Sequence, residues 1–337
     1  MWYYKIRRRN KCIFYTYSDA KNLYLVDGNF FEQDVFIKLS EGSSKTFQRK
    51  SISWRKPMSL SVGSRKKQSK KSFDELILEL RTSNSEKVRY NAARVLGEMG
   101  DLRAVETLVD VLKNDKNGSV RLYAARALGE LGDSSATVPL IESLREDRNV
   151  DVRVRAARAL GRLGGEIVVE PLVEALSDEN SQVCITATDA LIEIGEVATD
   201  ALILSLKHEK VNVRCDATRA LGELGNKKAV KPIIEMLDDE WVNVRIYAVT
   251  SLGKLGDTEA VPALIEVLKR TEENELVRAG AAAALGVLRD TRALMPLREL
   301  IMQAEELGEL EDTALKAFKK IMAANWQNMP TAEPAKK

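Results

Sequence analysis

Few residues of this 337-residue chain suit bond-making chemistry. His208 is its one histidine. A Ser-His-Asp relay therefore has a single possible base, and a histidine metal cluster lacks ligands. The three cysteines, Cys12, Cys184 and Cys215, are odd in number and lack CxxC spacing. They argue against a disulfide framework and for a reducing cytoplasmic setting. The glycines sit at the ends of helical patterns and form no phosphate-cradling loop. No catalytic residue, cofactor or metal is expected. The chain repeats charge instead. Arg94, Arg126 and Arg158 occupy one identical position in three successive copies of a repeated phrase, and Arg219 occupies it again. A second series sets an acid six residues before an arginine: Asp115 and Arg121, Asp147 and Arg153, Asp239 and Arg245, Glu272 and Arg278. Guanidinium groups at fixed spacing bind carboxylates through paired hydrogen bonds, so the chemistry on offer is recognition and ion pairing.

The elements that hold these residues follow from the phrase itself. VRLYAARALGELGD begins at Val120, and close copies put the same valine at 88, 152, 183, 213, 244 and 277. A period of about 30 residues is the mark of a solenoid. Each period reads as two helices. In ATVPLIESLRED, 136–147, Leu140, Ile141 and Leu144 form one apolar stripe, and Pro139 lies in the opening turn, where its missing N–H matters little. The second helix of that period buries Val152, Ala156, Ala159, Leu160 and Leu163. Ser85, Asn117, Asn149, Asn180 and Asn274 stand at N-cap positions, and a glycine ends most second helices. Small pairs such as Ala124 and Ala125 let successive repeats approach closely. The Asp–Arg series is expected to form an electrostatic ladder along the turns, each acid paired with the arginine of its own repeat. Repeat 4 departs from the pattern: Cys184 replaces the ladder arginine and Ile192 the glycine of LG, while His208 replaces the next acid. A change of curvature or a hinge is one reading of that departure, and drift is the other.

The PLIESL-type first helix, the Asp–Arg spacing and VRxxAAxALGxLGD together resemble the HEAT-like repeat of phycobilisome lyase-type proteins. The resemblance implies an all-α superhelix of about eight helix pairs over 73–326. It also implies that the VR helix lines a concave face. The outward positions of that helix include Tyr90, Arg94, Leu122, Tyr123, Arg126, Arg155, Arg158, Arg219, Ile246 and Tyr247. Tyrosine, arginine and large apolar residues are enriched at binding hot spots, and here they stand where no intramolecular need is evident. The expectation is a non-catalytic scaffold offering an Arg/Tyr groove to a protein or an acidic segment. The competing view is a solvated face, with Arg94 and Arg126 paired to Glu98 and Glu130 four residues on. Bilin lyases resemble this repeat too, so a role in bilin attachment or a related modification is the alternative. The deoxyhypusine hydroxylases share the repeat but carry His-Glu pairs after VR. Here those positions read Tyr90-Asn91, Leu122-Tyr123 and Val154-Arg155, so that activity is unsupported.

The first 72 residues differ in kind. They hold 17 Lys+Arg and 5 Asp+Glu, a net +12. The remainder holds 35 and 45, a net −10. Residues 1–57 are aromatic-rich and basic, a poorly structured segment or a small β module with a weak hairpin signal at Asp27-Gly28. Residues 58–72 read as a disordered basic linker and 327–337 as a disordered tail. Weak nucleic-acid contact through 1–72 is a third functional reading. Translation beginning at Met58 is a further expectation. No apolar run is long enough for a membrane span.

Overall fold

Each period folds as two helices joined by a short turn and leads to the next through a single turn of 3-10 helix. The computed structural model describes residues 3–8, 11–17, 23–28, 71–303 and 308–325. The chain divides into two units, residues 1–69 and 70–337. In the first, β1 (Tyr3–Arg8), β2 (Lys11–Tyr17) and β3 (Leu23–Gly28) pair antiparallel in the order β1-β2-β3. The expected hairpin about Asp27-Gly28 is thus present only as the end of β3. Its second arm, like most of the expected linker and the 327–337 tail, lies outside the described residues.

Among the described residues, the second unit is a solenoid of eight helix pairs. They are α1 (Phe73–Thr82) with α2 (Glu86–Met99), α3 (Val105–Asn114) with α4 (Gly118–Leu131), and α5 (Thr137–Glu146) with α6 (Val150–Leu163). Next come α7 (Val169–Ala175) with α8 (Ser181–Ile194), α9 (Thr199–Ser205) with α10 (Val211–Leu224), and α11 (Val230–Glu235) with α12 (Val242–Leu255). The last are α13 (Val261–Lys269) with α14 (Glu275–Leu288) and α15 (Leu294–Gln303) with α16 (Glu309–Asn325). The all-α superhelix read from the period is the observed fold. Ser72, placed in the expected linker, instead caps α1 in a reciprocal pair with Glu75. No helix among the described residues is long and apolar enough to cross a membrane.

Local chemistry sets the helix boundaries. Asn117, Asn149, Asn180 and Asn274 accept hydrogen bonds from the first-turn N–H groups of their helices. Ser85 makes no such side-chain bond. Gly132 ends α4 at φ 72°, a left-handed conformation that costs glycine no side-chain clash. Within each pair an apolar stripe of leucine, valine and alanine is buried, and stacking joins these stripes into one continuous core.

Close approach is concentrated between the second helices. A Cβ on Gly129 of α4 would lie 2.7 Å from Cβ of Ala159 in α6. Gly97 meets Ala127, Gly161 meets Ala190, Gly222 meets Ser251 and Gly286 meets Ala317 in the same way. First helices of neighbouring repeats touch only sparingly. The second helices are thus the more tightly packed row of the stack, here termed the inner row. Among the described second helices that are followed by another repeat, the glycine of this contact is missing only from α8, where Ile192 stands in its place.

Candidate functional site: the inner helix row

Two charge systems involve this helix row. The first is the ladder, and its pairing differs from the sequence expectation. Arg121, Arg153 and Arg245 do not bind the carboxylate six residues behind them, and Arg89 and Arg214 have Ser83 and His208 there instead. Each reaches forward to the next repeat: Arg89 to Asp115, Arg121 to Asp147, Arg153 to Asp178, Arg214 to Asp239 and Arg245 to Glu273. Each is a two-pronged bond; the Arg121–Asp147 distances are both 2.7 Å. The third nitrogen, Nη1, donates backward to the main-chain carbonyl of the residue at i−6: Ser83, Asp115, Asp147, His208 and Asp239. Each arginine thus clamps its own turn and staples it to the next repeat. Glu272, expected opposite Arg278, makes no such bond. Arg278 donates to the Leu268 carbonyl, and Glu273 serves as the rung.

The rung side chains are 6–16% exposed, which strengthens the pairing and makes a missing partner costly. Burial alone would raise the proton affinity of Asp115. Hydrogen bonds from Arg89 and from the Asn117 N–H outweigh it and leave the carboxyl below its ordinary range. Glu273 behaves alike, burial being outweighed by Arg245 and the Asn274 N–H.

The two oddities of the repeat 4 region are one absent rung. Cys184 stands where the arginine of α8 would be, and His208 where that arginine's forward partner would be. The Cys184 thiol reaches the Asp178 carbonyl at 3.3 Å, the backward half of the clamp. His208 Nδ1 accepts from the Lys210 N–H at 3.0 Å, the turn-closing bond that Asp115 and Asp147 make to Asn117 and Asn149. Only the inter-repeat staple is lost. Ile192, without the glycine approach, lies at the same α8–α10 junction, so both repeated tethers are absent there together.

The second system is the candidate groove. Tyr90 of α2 and Tyr123 of α4 stack with ring centroids 5.2 Å apart and an interplanar angle of 20°. Together with Leu122 and Ile246, they are partly buried against the core. Part of their apolar surface is therefore used within the fold, which corrects the view that these residues lack an intramolecular role. Tyr247 is exposed. Arg94 pairs with Glu98 at 2.5 Å and Arg126 with Glu130 at 2.7 Å, so the solvated-pair view describes both of these arginines.

It does not describe repeat 3. Four residues after Arg158 the chain has Arg162, not glutamate. Arg126, Arg155, Arg158 and Arg162 surround one hollow of about 180 Å³ floored by Gly129 and Ala159, with Glu130 as its one lining acid. Among the described residues Arg155, Arg158 and Arg162 form no ion pair. Burial, and then the charges of Arg158, Arg126 and Arg162, hold the Arg155 guanidinium below its ordinary proton affinity. The sequence reading omitted Arg162 from the site; the change from GELG to GRLG in the third copy was its signal. Arg219 does not join the cluster. It lies within 3.5 Å of Asp189 and 3.7 Å of Asp216 in repeats 4 and 5. Burial raises the proton affinity of Asp216 despite Arg219. Ile246 and Tyr247, on α12, also lie away from the hollow, three helix pairs beyond it.

Comparison with known families follows from this geometry. A sequence profile described as HEAT repeats matches residues 73–149, 137–211, 199–273 and 231–319, most of the solenoid. The chain belongs to the HEAT-repeat family. No curated protein matches it in sequence. Solved structures similar to this HEAT-repeat chain include YibA of E. coli, with 24% identity over 74% of this chain and 93% of that one, and a TM-score of 0.43. Others are the CpcE–CpcF complex of phycocyanin lyase from Nostoc sp. PCC7120 (23%, 78% and 99%, TM-score 0.40) and human deoxyhypusine hydroxylase in complex with glycerol (22%, 74% and 96%, TM-score 0.34). Likeness at this level carries no inference about what this chain binds or does. Among the described residues, no group of three His, Cys, Asp or Glu side chains could hold a metal ion.

Proposed function

We propose that this HEAT-repeat chain is a non-catalytic interaction scaffold whose inner helix row, at repeats 1–3, binds a protein segment rich in acidic groups. The observation that carries this reading is the line running from the Tyr90–Tyr123 stack to the unpaired guanidiniums of Arg155, Arg158 and Arg162. A stacked aromatic pair offers broad contact at low entropic cost, and arginine forks supply direction. The ladder supports it by fixing the spacing of successive repeats. The groove then meets its partner pre-formed, and less binding energy goes into ordering it. The outer row is the internal contrast, with Leu204 of α9 exposed there.

Site-specific photo-crosslinking tests the reading. A photoreactive phenylalanine analogue at Tyr123 is expected to trap a protein that the same group at Leu204 does not. Equal trapping at both sites, or none at Tyr123, counts against the groove.

A further inference from the structure

We infer that the hollow between α4 and α6 is a phosphoryl-binding site and that the segment seated in the groove carries a phosphorylated side chain. The inference rests on the reading of the inner row as a protein-binding face and names the chemistry it selects. Four guanidiniums and one carboxylate line the hollow, a net +3. Elsewhere in this molecule one carboxylate is satisfied by one arginine fork, as in every rung of the ladder. Three further guanidiniums with no acid of their own exceed what a single carboxylate can use. A phosphoryl group brings nearly two negative charges and three acceptor oxygens, enough to engage several forks at once.

The surroundings say which kind of molecule carries that group. Residues 73–337 hold 35 basic and 45 acidic side chains, a net −10. A nucleic acid would bring its other phosphates against that field, whereas a peptide can bring one. Glu98, Glu130 and Glu193 of the same helix row bound the basic patch: Glu130 is held by Arg126, and the Glu193 carboxylate lies across the Gly161 contact. The positive region is therefore one hollow wide. Beside it, Tyr123 and the partly buried Leu122 offer apolar surface for the residues flanking the phosphoryl group.

The test uses the purified full chain, immobilised, and two pools of nonapeptides. One pool has a fixed central phosphoserine, phosphothreonine or phosphotyrosine, the other the unmodified residue, with all remaining positions randomised. The phosphorylated pool is expected to be retained at least about tenfold over the other, the worth of one good charge-assisted fork. The exposed pair Arg158→Gln/Arg162→Gln, with its fold checked by circular dichroism, is expected to abolish the difference. Equal retention of the two pools overturns the inference, as does a preference that survives the double substitution. Inorganic pyrophosphate separates the sources. Displacement of retained phosphopeptides by it is expected. Binding of pyrophosphate without retention of either pool assigns the hollow to a free oxyanion and overturns the peptide assignment. Trapping at Tyr123 is read independently. If it fails while the pools separate, the wider groove reading falls; if it succeeds while they do not, only the phosphoryl site does.

Discussion

Restoring the missing rung is the sharpest test of how the solenoid is held together. Cys184→Arg alone places a guanidinium in a nearly buried slot. Its Nη1 can take over the bond that the thiol makes to the Asp178 carbonyl, but its forward prongs meet the imidazole of His208. Two charge-assisted bonds go unmade, an expected loss of about 2 kcal/mol. His208→Asp alone keeps the turn-closing bond to the Lys210 N–H, so its change is within about 0.5 kcal/mol. Together the two substitutions recreate the geometry of Arg153–Asp178, with both prongs at 2.9 Å. The predicted coupling energy is about 2 kcal/mol, favourable, measured by a double-mutant cycle in urea. At a slope of about 3 kcal/mol per molar, the double variant regains about 0.7 M in midpoint over Cys184→Arg. No gain over wild type is predicted, because desolvating two ions offsets much of their attraction. Amide exchange in α8 and α10 is expected to slow in the double variant relative to Cys184→Arg. A coupling below about 0.5 kcal/mol would refute the view that Arg-to-next-repeat pairing ties neighbouring repeats.

Other outcomes follow from the same contacts. Gly286→Ala drives a methyl to within 3 Å of Ala317 and is expected to cost about 1–3 kcal/mol in urea unfolding, with no change at the groove of repeats 1–3. Asp115 and Glu273 have folded-state proton affinities below their unfolded values. Their stabilisation is therefore fully present above the unfolded carboxylate pKa and is lost as pH falls through the depressed folded value. Asp115→Asn is expected to flatten that acid limb of the stability curve. Asp216 has the opposite sign: its charged form is disfavoured in the fold, so it costs stability above its raised folded pKa and the cost disappears on acidification. Asp216→Asn should remove that component from the pH profile. Tyr90→Ala is expected to lower fold stability by about 0.5–1.5 kcal/mol beyond lost contact area, through loss of the stacked pair, as urea unfolding would show.

The fold was legible because it is written many times. Valine recurrence gave the period, asparagine and glycine gave the helix ends, and the small residues gave the close contacts, each matched by a bond or distance in the structure. The direction of the ladder was not legible from spacing. An acid recurring every 32 residues at i−6 also stands at i+26, so one pattern encodes both pairings. Two particulars could have decided it. Arg89 has Ser83, not an acid, six residues behind it, and yet keeps the VR phrase. Cys184 and His208 depart together in the forward register. The candidate groove was half legible. The recurring arginines stood out as a column, but the column hides that two of them spend their charge on Glu98 and Glu130 while the third faces Arg162. Stacking of Tyr90 on Tyr123 needed the offset between successive helices, which single-helix positions do not supply.

The central claim is that the inner row at repeats 1–3 is the working surface. The most direct measurement is the affinity of the protein trapped at Tyr123 for three purified forms: wild type, the Arg94/Arg126/Arg158→Glu triple variant, and Leu204→Glu on the outer row. A drop of roughly 100-fold or more for the triple variant, with Leu204→Glu unchanged, is the predicted result. An unchanged affinity in the folded triple variant, or an equal loss from Leu204→Glu, would contradict it.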